Sequence, residues 1–172
     1  MKRICSGMEW RRATWLLVAL AVIVLDRVTK LWVYETFYTG ETRPITSFFS
    51  LILTFNTGAA FSFLANAGGW QRIFFVVISV AACLLFLWLL LRGGNKLFSF
   101  SLALIIGGAL GNLWDRLQLG RVIDFLLFHY QGWSYPAFNV ADAAITVGAV
   151  LLIADGLLQR KRRGSEEDYR EQ

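Results

Sequence analysis

Four long apolar segments constrain the fold of this chain more than any other feature. They cover approximately residues 13–33, 73–91, 97–117 and 140–158. At about 1.5 Å of rise per residue, roughly 20 helical residues cross the apolar layer of a bilayer. Hydrophobic residues make up 56% of the 172-residue chain, and its mean hydropathy is +0.53. The sequence therefore predicts an α-helical integral membrane protein, a four-transmembrane-helix bundle in a single domain over residues 1–172.

The distribution of basic residues predicts the orientation. Four Lys or Arg residues precede the first segment, two lie between the second and third, and five follow the fourth. The outer loops, 34–72 and 118–139, hold only three, so we expect both termini in the cytoplasm. The net charge of +5 is mostly a topology signal, and no nucleic-acid partner is expected. The first segment lacks a small-residue cleavage site and is interpreted as an uncleaved anchor, while residues from about 161 to 172 are expected to form a disordered tail.

Charged residues within the apolar segments cluster at one depth. With both termini inside, the helical rise places Asp26 about 20 Å and Asp115 about 27 Å from the cytoplasmic surface. Asp142 falls in the first turn of the fourth segment, which begins on the same outer side. A charge in hydrocarbon is unfavourable by at least a few kcal/mol, so such a cluster indicates a functional site.

Several of these charges also have structural interpretations. Asp26 and Lys30 lie four residues apart on one helical face, where they can neutralise each other. Asp115 and Arg116 point in different directions and need other partners. Asp155, at the cytoplasmic end, is interpreted as an interfacial charge.

Asp124 is the acidic residue that structural roles explain least. Asn139 can cap the fourth segment with Asp142 at the third helical position, which would account for Asp142. Capping does not explain why an outer loop places Asp124 at the same membrane depth as Asp142. Two carboxylates that approach closely cannot both ionise easily, so one keeps a proton while the other can accept one from water. This pattern predicts peptide hydrolysis at the outer membrane interface.

Three alternatives to a pair of catalytic aspartates are a serine nucleophile, a transporter and a structural scaffold. Lys30 could act as the base for a nucleophilic Ser62 or Ser134, but neither serine lies in a strained-turn motif. A small ion-coupled or proton-coupled transporter also carries charges within a helix bundle. Such a protein should show polar residues through the whole membrane depth, whereas the second segment is uncharged. A purely structural scaffold would leave the shared depth of the two acids unexplained.

The cysteine and histidine content gives no sign of a metal site. Cys5 and Cys83 are expected in different environments and cannot pair, and His129 is the only histidine. No Cys or His residues have metal-ligand spacing, so neither a metal nor another cofactor is expected. His129 is interpreted as an interfacial side chain on an aromatic outer loop.

Five motifs resemble those of bacterial lipoprotein signal peptidase, also called signal peptidase II. They are DRVTK at 26–30, NTGAAFS at 56–62, GGALGNLWDR at 107–116, VIDF at 122–125 and FNVADAAI at 138–145. All five occur in the order found in that family and extend over most of the chain. One such motif would be weak evidence, but five in register with four apolar segments are specific.

The resemblance implies an aspartyl endopeptidase of the bacterial cytoplasmic (inner) membrane. Such an enzyme removes signal peptides from diacylglyceryl-modified prolipoproteins by cleaving before the lipidated cysteine, at the outer leaflet. By motif match, Asp124 and Asp142 take the catalytic positions. The other matched positions, for substrate contact or site bracing, are Asp26, Lys30, Asn56, Asn112, Asp115, Arg116 and Asn139. The expected partners are prolipoprotein substrates and membrane lipids, and the protein is expected to function as a monomer.

The outer loops carry their own pattern. Leu51, Leu53 and Phe55 alternate with more polar neighbours, which predicts a strand in the first loop. The resemblance implies that this strand belongs to a small extracytoplasmic β-cradle for the substrate. In the second loop, Tyr130, Trp133, Tyr135 and Phe138 are expected to anchor at the headgroup level. A short outer-loop helix is expected there, covering the two aspartates.

Overall fold

The computed structural model describes residues 2–57 and 70–170, with side chains described for residues 13–57, 70–162 and 165. This part of the chain forms four helices and four strands. In chain order they are α1 (Lys2–Thr36), β1 (Thr42–Pro44), β2 (Phe49–Asn56), α2 (Trp70–Arg92), α3 (Lys96–Leu119), β3 (Val122–Tyr130), β4 (Trp133–Ser134) and α4 (Val140–Arg170).

Helix α3 is the centre of the bundle and packs against α1, α2 and α4. Small residues on its surface permit this close packing. A Cβ added at Gly107 would lie 2.7 Å from the carbonyl oxygen of Ala19 on α1, and one added at Gly148 on α4 would lie 2.8 Å from the carbonyl oxygen of Ser101. Small residues at helix contacts are typical of membrane bundles, where close backbone approach provides van der Waals attraction.

The outward surfaces of the helices are apolar and exposed. Examples are Leu17, Val24 and Val28 on α1, Ile73, Val77 and Leu84 on α2, and Val150, Ile153 and Leu157 on α4. Three helices, α2, α3 and the part of α4 over Val140–Arg162, are long and apolar enough to cross a membrane, judged by length and composition. Helix α1 does not meet the same measure, because Asp26, Arg27 and Lys30 lie together within it. The expected count of four is therefore matched only in part.

The strands form one antiparallel sheet in the order β1, β2, β3, β4. The strand predicted around residues 50–55 is confirmed as β2. Strand β2 pairs with β3 so that Thr54 lies opposite Asp124, next to an irregularity in register. A two-residue turn at Gln131 and Gly132, both with positive φ, joins β3 to β4.

The expected helix in the second outer loop is wrong. Residues 122–130 read VIDFLLFHY, a run of β-branched and aromatic residues that favours a strand when a partner is available. That partner is β2, which comes from a loop about 70 residues earlier in the chain. Because the partner is so distant in sequence, local pattern did not reveal the strand.

The C-terminal end of α4 also differs from expectation. The helix continues to Arg170, where we expected a disordered tail from about residue 161. Asp155 is buried within the protein, and it accepts hydrogen bonds from Asn95 Nδ2 at 2.6 Å and Gln159 Nε2 at 2.5 Å. Asn95 caps α3, so this contact joins α4 to the start of α3.

Candidate active site

A buried ion network lies at the end of the bundle where α1 and α3 finish and α4 begins. Lys30 Nζ is 2.7 Å from Asp26 Oδ2 and 3.0 Å from Asp115 Oδ2. Arg27 Nη1 is 2.6 Å from Asp115 Oδ1. The side chains of Asp26, Lys30 and Asp115 are all fully buried. The predicted pairing of Asp26 with Lys30 is confirmed, and Asp115 has the distant partners that its position required.

The same carboxylates fix the start of two other elements. Asp26 Oδ1 accepts a hydrogen bond from the backbone nitrogen of Ala141, in the first turn of α4, at 2.9 Å. Asp115 Oδ2 accepts one from the backbone nitrogen of Ile123, at the start of β3, at 3.2 Å. Each contacted residue is the sequence neighbour of a candidate catalytic aspartate. The network therefore positions the backbone that carries Asp142 and Asp124.

Asn139 connects the two candidate aspartates. Its Oδ1 accepts a hydrogen bond from the backbone nitrogen of Asp142 at 2.9 Å, and its own backbone nitrogen donates to Asp142 Oδ2 at 3.3 Å. This is the reciprocal cap that the sequence predicted. Its Nδ2 donates to Asp124 Oδ1 at 2.7 Å. One residue thus contacts both carboxylates, and Asp124 and Asp142 lie at one site.

Asn112 links the ion network to Asp142. Its Nδ2 donates to Asp142 Oδ1 at 2.7 Å, while its Oδ1 accepts from Lys30 Nζ at 2.9 Å and from Asn139 Nδ2 at 3.2 Å. A lysine ammonium group can only donate, so Lys30 requires the amide oxygen of Asn112 to face it. The amide nitrogen is then left to face Asp142. Lys30 and Asn139, which both donate to the amide oxygen, together determine which group Asn112 presents to the carboxylate.

The environment of Asp124 favours its protonated form. Burial, and second the charge of Asp142, raise the pKa of Asp124 to about 7. Hydrogen bonds from the side chains of Asn56 and Asn139 and the charge of Lys30 act in the opposite direction. Asn56 is the last residue of β2, the strand that pairs with β3 beside Asp124.

Charge balance points to the same protonation state. The described site holds four carboxylates and three cations, namely Asp26, Asp115, Asp124, Asp142, Arg27, Lys30 and Arg116. With every group ionised the site carries one excess negative charge, and a single proton makes it neutral. An excess charge is costly where burial weakens solvation, so the site favours one bound proton.

All nine residues identified from the sequence lie in or beside this site. Asp26, Lys30 and Asp115 form the ion network, and Asn112, Asp124, Asn139 and Asp142 form one hydrogen-bonded group. Asn56 forms a side-chain hydrogen bond with Asp124. Arg116 interacts electrostatically with Asp115, Asp124 and Asp142.

The structure also bears on the serine alternative and on a residue that the sequence did not single out. Ser62 lies outside the described residues, and Ser134 lies opposite His129 on β4. The hydrogen-bond and ion-pair partners of Lys30 among the described residues are two aspartates and an asparagine. Arg27, the partner of Asp115, was not predicted. Its only sequence signal was its position within the charged string at 26–30.

The sequence model of the family described as signal peptidase (SPase) II matches residues 18–158 of this chain. The match includes every residue of the candidate site. The chain belongs to the signal peptidase II family. The resemblance inferred from the five motifs is thereby confirmed, and the family consists of aspartyl peptidases that process lipoproteins.

Curated relatives and solved structures agree with this membership. The lipoprotein signal peptidase of Ralstonia nicotianae is 58% identical over 149 residues, covering 86% of each chain. That of Paraburkholderia phytofirmans is 58% identical over 154 residues, covering 89% of this chain and 88% of the relative. A solved bacterial membrane enzyme superposes with a TM-score of 0.79 at 28% identity, covering 87% of this chain and 91% of its own. A second gives 0.75 at 29% identity, covering 84% and 93%.

Proposed function

We propose that this member of the signal peptidase II family removes the signal peptide from diacylglyceryl-modified prolipoproteins, cleaving before the lipidated cysteine. Asp124 and Asp142 are the catalytic dyad in this proposal. The main support for this proposal is that Asn139 hydrogen-bonds to both aspartates, together with the pKa of about 7 for Asp124. Two linked carboxylates that share one proton are the arrangement required for hydrolysis by an activated water.

The surroundings assign different roles to the two aspartates. Asp142 lies in the first turn of α4, at the positive end of the helix dipole, and accepts hydrogen bonds from Asn112 Nδ2 and from the backbone nitrogen of Asn139. Asp124 holds the proton. Asp142 accepts a proton from water as the water oxygen attacks the scissile carbonyl carbon, and Asp124 donates its proton to the carbonyl oxygen. Asp142 then gives its proton to the amide nitrogen while Asp124 takes one back from a hydroxyl group of the gem-diol, and the carbon–nitrogen bond breaks to release a carboxyl group and an amine.

Asn56, Asn112, Arg116 and Asn139 hold and orient the dyad or contact the peptide in this proposal. Asp26, Lys30 and Asp115 brace the site from within the bundle. No cofactor takes part. The sheet formed by β1 to β4 supports the extended peptide beside β3, and the lipid chains of the substrate lie against the apolar outer faces of the helices.

The membrane arrangement that we propose has four spans, with α1 as the first. The exposed surface of α1 is apolar along residues 16–32, and its charged side chains turn toward α3 and α4. Both termini are cytoplasmic, and the dyad faces the outer leaflet of the bacterial inner membrane. The enzyme works as a monomer. A transporter is not favoured, because the ion network occupies one end of the bundle and does not extend along it.

Substitution of the two aspartates tests the proposed dyad. Asp124→Asn and Asp142→Asn should each lower the rate of cleavage by several orders of magnitude while leaving the protein folded and membrane-inserted. Glu35→Gln is the matched control, because Glu35 is an exposed carboxylate at the same end of α1. Cleavage is measured by the gel shift of a purified diacylglyceryl-modified prolipoprotein. Turnover near the wild-type rate by either Asp variant would rule out the dyad.

A further inference from the structure

Gln71 is a buried polar residue that the proposed mechanism does not use. It is the second residue of α2 and is only 8% exposed, yet its Oε1 has no hydrogen-bond partner within the described part of the chain. Helix α2 packs against α3. At about 100° of rotation per residue, the buried residues Cys83 and Leu90 share one face of α2, whereas Gln71 lies about a third of a turn away from them. Phe75 follows Gln71 by one turn, on the same side of the helix. Gln71 is therefore a buried polar residue at the start of a largely apolar helix.

The first turn of α2, which contains Gln71, packs against the part of α3 that carries Arg116. Arg72 Nε donates to the carbonyl oxygen of Arg116 at 3.0 Å, and Arg72 Nη2 donates to that of Leu117 at 3.0 Å. These contacts hold the first turn of α2 against the last turns of α3. The guanidinium group of Arg116 lies 5.3 Å from the centre of the Phe75 ring. Gln71 therefore belongs to the turn of α2 that packs against the end of α3, and Phe75, one turn later, lies beside Arg116.

Arg116 has an unused group of the opposite kind. Its Nε is buried and has no hydrogen-bond partner in the described residues. Arg116 also interacts with the charges of Asp142 and Asp124. Where α2 packs against the end of α3, the structure therefore offers one unpaired acceptor, Gln71 Oε1, and one unpaired donor, Arg116 Nε. Buried polar atoms in native proteins nearly always have a hydrogen-bond partner, so two buried atoms without one require an explanation.

A peptide backbone is the ligand that fits this pair. An extended peptide presents N–H donors and C=O acceptors, the groups that an amide oxygen and a guanidinium nitrogen can bind. Recognition of the backbone also suits an enzyme whose substrates differ in side chains. We propose that Gln71 Oε1 accepts a hydrogen bond from a backbone N–H of the substrate near the scissile bond, while Arg116 Nε donates to a backbone carbonyl. Gln71 is then a substrate-binding residue, and this inference rests on the proposed peptidase function.

Backbone-modified substrates test this role of Gln71. An ester in place of one amide removes a single N–H and leaves the side chains unchanged. A series of lipopeptides carries one ester each at the residues that flank the scissile bond, and kcat/KM is measured for each. With the wild-type enzyme, one position should lose about three- to tenfold. Gln71→Leu should lose a similar factor on the all-amide peptide and show no further loss from the ester at that position.

Two controls separate substrate binding from a structural role. Gln118→Leu changes an exposed glutamine at the outer end of α3 and should keep the wild-type ester profile. The thermal unfolding temperature of Gln71→Leu should equal or exceed that of the wild type, because the substitution removes an unpaired buried acceptor. Gln71→Met, which keeps the side-chain length, replaces Gln71→Leu if that variant does not fold.

The inference is overturned if Gln71→Leu, or Gln71→Met in its place, keeps the position-specific ester sensitivity of the wild type. It is also overturned if the wild type has no sensitive position. Either result leaves the proposed peptidase intact, since its test is the loss of cleavage in Asp124→Asn and Asp142→Asn.

Discussion

At the scale of single residues, the proton on Asp124 is the property on which the proposed chemistry depends. The pKa of about 7 means that the protonated fraction of Asp124 falls as the pH rises through neutrality. If Asp124 donates the proton, kcat/KM should decline about tenfold per pH unit above about pH 7. The check is a pH profile of cleavage between about pH 6 and about pH 9. A rate that stays constant across that range would contradict the assigned role.

The same group makes a contribution to stability with a definite sign. The pKa of Asp124 in the folded protein is above its ordinary value of 3.8, so folding favours the protonated form. Its stabilising contribution is therefore complete below about pH 4 and is lost as the pH rises through about 7. Asp142→Asn removes a charge that raises this pKa. We expect the unfolding temperature of Asp142→Asn to depend less on pH in this window than that of the wild type, and an unchanged dependence would show that the two carboxylates are not coupled.

The residue roles that the sequence could reveal were the local ones. Asn139 and Asp142 lie three positions apart, and that spacing predicted the cap. The bond from Arg27 to Asp115 joins residues 88 positions apart, and no local spacing encodes it. The same is true of Asn112, whose partners Lys30 and Asp142 come from different helices. The candidate site was found from motifs, but its connections became evident only with the fold.

At the scale of elements, the close packing of α3 against α1 and α4 depends on a glycine beside the ion network. A Cβ added to Gly111 of α3 would lie 2.6 Å from Asp26 Oδ2 on α1, and it would also approach Ala141 of α4 at 3.4 Å. Gly111→Ala should therefore displace Asp26 from Lys30 and from the first turn of α4. We expect a lower unfolding temperature and a loss of cleavage of at least about tenfold, measured on the same detergent-purified protein.

The control for that substitution lies on α4. A Cβ added at Gly156 meets no atom within 4 Å, so Gly156→Ala changes helix propensity alone. It should be neutral or stabilise the protein by up to about 1 kcal/mol. Equal effects of Gly111→Ala and Gly156→Ala on both measurements would show that the close approach of α1 and α3 is not needed.

The elements themselves were predictable to different degrees. Apolar length predicted the helices, because each must cover a fixed thickness of hydrocarbon. Strand β2 was predicted from its alternation of apolar and polar residues. Strand β3 was not predicted, because it forms by pairing with β2, which lies in a different loop far away in sequence. The end of α4, which runs to Arg170, was not predicted, because its polar and charged composition is also typical of a disordered tail.

At the scale of the whole molecule, the site is a balanced set of charges from α1, α3, β3 and α4. Lys30 is the cation with most partners, since it contacts Asp26, Asp115 and Asn112. Lys30→Met removes the cation that pairs with Asp26 and one of the two cations that pair with Asp115. Breaking a buried ion pair from one side typically destabilises a protein by about 3 to 5 kcal/mol. Adding Asp26→Asn restores the wild-type charge of the site. We therefore expect the double variant to give more folded, membrane-inserted protein than Lys30→Met alone.

Cleavage should respond differently from folded yield in the same double-mutant cycle. Without Lys30, the amide oxygen of Asn112 keeps only the hydrogen bond from Asn139 Nδ2, so the orientation in which Asn112 donates to Asp142 is held less firmly. The double variant recovers the charge balance but not the hydrogen bond from Lys30 to Asn112. The measurements are inserted protein and cleavage rate for the wild type, both single variants and the double variant. Recovery of yield without recovery of cleavage is the expected result, whereas strictly additive losses of yield would show that Asp26 and Lys30 do not stabilise each other.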